Sequence, residues 1–77
     1  EMTRLSEAEP GSILEIRRIA DNKELLEYID HKNLAIGKKI KLLSFESFDH
    51  TALIEFDEIT ISLSEKACEQ IFVSPVA

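Results

Sequence analysis

The amino-acid sequence predicts a mainly-β fold: one small domain of about five strands, with one short helix after the first strand and a helical turn before the last. Three observations carry this. Residues 38–63 hold three consecutive stretches in which apolar and polar residues alternate, and residues 12–20 hold another. Between them, the stretch after Asp21 spaces its apolar residues as a helix does. A length of 77 residues allows a single domain and no more.

The first turn is Pro10-Gly11, which closes a polar lead-in from Leu5, because proline presets one dihedral and glycine accepts a positive φ. From Ser12 to Ala20, Leu14 and Ile16 share one face while Glu15 and Arg17 take the other; Ile13 and Ile19 blur the pattern. Asp21 stands three residues before Glu24, the spacing of a capping box with Asp in place of Ser or Thr, so the helix is expected to start there. Leu25, Leu26 and Ile29, with Tyr28 beside them, form its apolar stripe. Asn33 suits a left-handed closing residue, and the glycine of Leu34-Ala35-Ile36-Gly37 opens the next turn.

Residues 39–45, 51–56 and 58–63 then read as a meander of three strands, broken by the polar loop at residues 46–50 and by a tight reversal near Asp57. Ser64 is a natural N-cap for a helical turn that leads to a closing strand, Ile71-Phe72-Val73, which Pro75 stops. So few residues protect the edges of five short strands best by curling the sheet, which points to a small SH3-like barrel. Residues 1–4 read as the end of a linker and residues 5–77 as the barrel.

Composition narrows the function. A chain of this size hides only roughly 60–65% of the surface its unfolded form exposes, so its core is thin and leaves little room for an enclosed active site. With 15 Asp and Glu against 9 Lys and Arg, the net charge of −6 opposes direct binding to phosphate backbones. No apolar run approaches the roughly 20 residues that span a bilayer, and Glu1-Met2-Thr3 lacks the basic start of a secretory signal. One cysteine, Cys68, cannot close a disulfide within the chain, which suits a reducing cytoplasm. A first residue of Glu fits processing or a domain cut from a longer chain.

The residues offer little catalytic chemistry. No nucleophile stands beside a recognisable base, and a chain with 2 Gly has no glycine-rich phosphate loop, so the expectation is a protein that is not an enzyme. Cys68 reads as a small buried hydrophobe, and His31 and His50 as solvated loop residues. An adaptor groove for proline-rich peptides needs clustered aromatics, and only 6% of the chain is aromatic. Asp21 and Glu24 hold the most interest. Helix capping explains both, yet two hard oxygen donors one turn apart also suit part of the shell of a manganous or ferrous ion.

Taken in order, Leu5-Ser6 with Pro10-Gly11, Ile16-x-x-Ile19, Leu25-Leu26 with Ile29, Leu34-Ala35-Ile36-Gly37-x-x-Ile40, and Ile61-Ser62-Leu63-Ser64 with Ala67, Ile71 and Val73 resemble the FeoA family. The pattern runs through nearly the whole chain. The resemblance implies an SH3-like barrel, either standing alone as a cytoplasmic accessory of ferrous iron transport or forming the carboxy-terminal domain of a DtxR-type iron- or manganese-dependent repressor. Stand-alone members usually carry Gly-Leu-x-x-Gly where this chain has Asn33-Leu34-Ala35-Ile36-Gly37, and a Gly-Asp-Pro segment that it lacks; the loop from Phe45 to His50 is more similar to the repressor branch. In that branch the barrel packs on a DNA-binding domain and a dimerisation domain of the same chain. DNA contact by the homodimer would then belong to a segment amino-terminal to this one. Fe(II) or Mn(II) would be the cofactor of the full-length protein, and by place in the motif Asp21 and Glu24 would fall at an ancillary metal site. Glu24 stands where the family often has an amide.

Overall fold

The computed structural model describes residues 1–76. Six strands form one sheet: β1 (Thr3–Arg4), β2 (Ile13–Ile19), β3 (Lys39–Phe45), β4 (Ala52–Phe56), β5 (Ile59–Leu63) and β6 (Ile71–Pro75). Their order across the sheet is β1-β6-β2-β3-β4-β5, with every neighbouring pair antiparallel. Helix α1 (Lys23–His31) links β2 to β3, and α2 (Glu65–Cys68) links β5 to β6. The strand count is thus six rather than about five. The added strand, β1, is two residues long and pairs Thr3 with Val73 and Arg4 with Phe72.

The sheet curls because its inward residues all serve one core. Leu14 and Ile16 of β2, Ile40 and Leu42 of β3, and Ile54 and Phe56 of β4 join a single cluster. Leu25 and Ile29 of α1 and Ile71 and Val73 of β6 belong to the same cluster. A flat sheet of six strands could not bring all of these into one cluster, so the strands wrap into a small SH3-like barrel. Leu5, in a 3-10 turn at Leu5–Glu7, is fully buried in the same core, so the polar lead-in carries one anchor.

Two glycines make the turns their positions require. Ser12 N–H donates to the Glu9 carbonyl at 3.2 Å, which puts Pro10 and Gly11 at the centre of a turn, with Gly11 at φ 94°. Lys38 N–H closes the same kind of turn on Ala35 at 3.1 Å around Gly37, also at φ 94°. Gly37 N–H then reaches the Ile16 carbonyl at 2.7 Å and locks the loop after α1 onto β2. The reversal between β4 and β5 uses Asp57 and Glu58 at φ 52° and 66°, the handedness that suits a two-residue hairpin.

The carboxyl end of α1 closes as its sequence predicts. Asn33 sits at φ 63°, its N–H donating to Asp30 at 3.0 Å, while Leu34 N–H reaches Ile29 at 3.1 Å. This pair of bonds is the Schellman arrangement, and its apolar partners Ile29 and Leu34 are both buried. The amino end differs from the expectation. Asn22, not Asp21, caps the helix: its Oδ1 accepts from Leu25 N–H at 3.1 Å. Asp21 lies one residue outside and is exposed. Asn and Asp cap equally well, so adjacent candidates are separated only by where the chain turns into the helix.

Candidate functional site

The amino end of α1 faces α2 across a small surface cavity of about 170 Å³. Asn22, Glu24, Leu25 and Tyr28 line it from α1, and Ser64, Lys66 and Gln70 from the α2 side. Local sequence explains each placement. The Asn22 cap starts the helix so that Glu24 falls in its first turn, and Tyr28, one turn on, is half-buried. The Tyr28 hydroxyl accepts a hydrogen bond from Ser64 N–H at 3.0 Å, and Ser64 Oγ in turn caps α2 by accepting from Ala67 N–H at 3.2 Å. Gln70 Nε2 donates to the Lys66 carbonyl at 3.1 Å and closes α2.

Of the two sequence-predicted metal ligands, Glu24 borders this cavity and Asp21 does not. Both side chains belong to exposed residues. The cavity already holds one cation, Lys66, and its remaining polar groups are an amide, two hydroxyls and Gln70. Among the described residues no group of three or more His, Cys, Asp or Glu is placed to hold a metal ion. Hard carboxylate oxygens suit Mn(II) or Fe(II), but two of them leave most of an octahedral shell to be supplied from outside this chain. As a donor set, Asp21 and Glu24 do not make a metal site by themselves.

The other singled-out residues are structural. Cys68 is fully buried, and burial pushes its thiol up from 9.0 to about 12, so the reactive thiolate is suppressed. His31 is exposed, at the end of α1. His50 departs from the expectation of a solvated loop residue. Its ring stacks on Phe45 with centroids 4.1 Å apart, and its Nε2 lies 3.3 Å from the Ser6 carbonyl. Sequence reasoning also missed the arginines around Phe72. Arg18 falls on the inward phase of its strand, and a charge in that phase is the signal that the alternation breaks there.

The model of the FeoA domain matches residues 3–75. No curated protein matches by sequence. Among solved structures, ScaR with bound zinc superposes with a TM-score of 0.88 at 32% identity, covering 95% of this chain and 36% of that one. The manganese regulator SloR gives 0.89 at 26% identity, covering 96% and 34%. An iron uptake regulatory protein, FeoA, gives 0.87 over 99% of this chain and all of its own, but at 16% identity it speaks for the fold alone. The chain spans about a third of the length of the repressors it matches. With a barrel of this architecture and a family match over nearly all of its residues, the chain belongs to the FeoA domain family.

Proposed function

We propose that this domain is the carboxy-terminal regulatory and interaction module of a DtxR-type, metal-dependent transcriptional repressor, cytoplasmic and without enzymatic activity. The observation that carries the reading is the likeness to ScaR, a manganese-activated repressor, over 95% of this chain at 32% identity. In this reading the barrel packs on the DNA-binding and dimerisation domains of its own chain, and the tether keeps its effective concentration high. Its acidity then has a place, since DNA is met by a segment amino-terminal to Glu1 in a homodimer. Asp21 and Glu24 supply carboxylate oxygens to an ancillary Fe(II) or Mn(II) whose remaining ligands come from the other domains. Among the described residues no helix is long and apolar enough to cross a membrane.

The test is metal-activated operator binding by the full gene product, followed by gel shift. Removing residues 1–77 of this chain should weaken it, and the pair Asp21→Ala and Glu24→Ala should raise the Mn(II) or Fe(II) needed. A gene that encodes this barrel and no DNA-binding segment would overturn the proposal. That outcome would favour a second reading, a stand-alone FeoA-like accessory of ferrous iron transport, with which the family match over residues 3–75 is equally compatible.

A further inference from the structure

All three arginines of the chain stand on adjacent strands: Arg4 in β1, Arg17 and Arg18 in β2, with β6 between. Arg4 and Arg18 are the register partners of Phe72 from its two sides. Their guanidinium carbons lie 5.9 and 4.3 Å from the centroid of its ring. The register slips between Ile16 and Arg18, and this bulge leaves Arg17 and Arg18 both exposed, where strict alternation would drive Arg18 into the core. Arg17 donates to Ser74 Oγ on β6 at 3.2 Å, so it leans across the same face.

These charges are largely unspent. Glu7 approaches Arg4 at 3.9 Å, but both side chains are more than half exposed and such a pair is weak. Among the described residues Arg17 and Arg18 have no ionic partner. Acids border two sides: Glu7 and Glu69 lie near Arg4, and Glu1, Glu7 and Glu9 lie in the cleft that Arg17 lines. Arg18 borders neither cleft.

We propose that this arginine-phenylalanine face docks an acidic stretch of a partner protein, with an Asp or Glu carboxylate taken by Arg18 and with Arg4 and Arg17 beside it. A guanidinium stacked on a ring keeps its in-plane N–H groups free, and the stacking fixes the fork that binds a carboxylate through two parallel hydrogen bonds. The half-buried Phe72 supplies an apolar floor beneath the Arg18 guanidinium. Nucleic acid fits less well. A duplex is a long polyanion that would lay many phosphates against a chain of net charge −6, whereas a few carboxylates meet only the arginines. The inference rests on this face alone.

The test is a titration of this chain at low salt, followed by nitrogen-15 NMR, with a short end-blocked polyglutamate peptide; inorganic phosphate and a DNA duplex serve as parallel probes. The peptide should give saturable shifts at Arg4, Arg18 and Phe72, including the guanidinium Nε–H signals. Arg18→Glu should weaken it by about tenfold or more, as loss of a charge-assisted pair implies. Arg18→Lys, which keeps the charge and loses the flat fork, should also weaken it. If Arg18→Glu disturbs the spectrum of the fold, Arg4→Gln with Arg17→Gln must show the loss instead. Shifts centred on Lys38, Lys39 and Lys41, tighter binding of the duplex or of phosphate than of the peptide at equal salt, or full affinity in a folded arginine variant would each overturn the proposal.

Discussion

The hydroxyl of Tyr28 accepts a hydrogen bond from the backbone N–H of Ser64 at 3.0 Å, and this contact ties the middle of α1 to the cap of α2, 36 positions along the chain. Ser64 N–H precedes α2 and has no carbonyl of its own helix to pair with. Tyr28→Phe keeps the ring and removes only this acceptor. The expected cost is about 0.5–1.5 kcal/mol, at the lower end because the bond is exposed to water. Urea unfolding should show a lower midpoint at an unchanged slope, and hydrogen exchange at Ser64 should quicken.

The identity of the α1 cap gives a sharper comparison. Asn22→Ala removes the oxygen that accepts from Leu25 N–H, and such changes cost about 1 kcal/mol. Asp21→Ala, one residue outside the helix, removes no capping bond and should shift the unfolding midpoint far less. Equal losses in the two variants would mean that Asp21 shares the cap.

These two sites show what was legible in the sequence and what was not. Alternation placed β2 to β5 to within a residue or so, because one buried face imposes a period of two that survives in the text. The Ser64 cap, the Asn33 closure and the reversal at Asp57 were legible because few residue types suit those backbone shapes. Strand β1 was not, since two residues carry no period and its partners lie about 70 positions away. The bulges in β2 and β3 were hidden for the same reason, being properties of a pair of strands and not of either alone. At the candidate metal site, spacing at the helix start and the family resemblance named the oxygen donors, but only the fold shows that Glu24 faces a cavity and Asp21 does not.

Leu5 tests how far the amino-terminal segment belongs to the core. It is fully buried although it stands in a polar stretch, so Leu5→Ala should cost about 2–5 kcal/mol. Small domains have only about 5 kcal/mol or slightly more to lose, so a large unfolded fraction is expected in this variant. Deleting residues 1–3 instead removes the pairing of Thr3 with Val73 and leaves Leu5 in place. That deletion should be much milder, and calorimetry of the two side by side decides it.

Cys68 makes a pH prediction. Burial raises its thiol from 9.0 to about 12 in the folded chain, while the unfolded thiol titrates near its ordinary value. Between those two values the unfolded state releases a proton that the folded state keeps, so stability falls as pH rises through that window. The slope contributed by this one group is at most about 1.4 kcal/mol per pH unit. Cys68→Ala should flatten that decline, even if it lowers stability near neutrality by leaving a small void. The same burial should make the folded protein slow to react with a thiol reagent, with the rate rising in urea in step with unfolding.

The β4–β5 reversal should be improvable. Glu58 holds φ 66°, a left-handed conformation that costs a residue with a Cβ about 1–2 kcal/mol. Glycine adopts it freely but loses more chain entropy on folding, about 0.4–1 kcal/mol. The strain outweighs that entropy, so Glu58→Gly should stabilise the barrel by up to about 1 kcal/mol. Asp57 is the wrong place for the same change. Its carboxylate takes a hydrogen bond from Lys38 Nζ at 2.6 Å, and Lys38 also lies 5.1 Å from the centre of the Phe56 ring. Asp57→Gly would relieve similar strain at φ 52° while releasing Lys38, so its net gain should be smaller than that of Glu58→Gly. Thermal unfolding of the two single variants at low and high salt separates backbone strain from the ion pair. The Glu58 gain should persist in high salt, and the gap between the variants should narrow as the Lys38–Asp57 pair is screened.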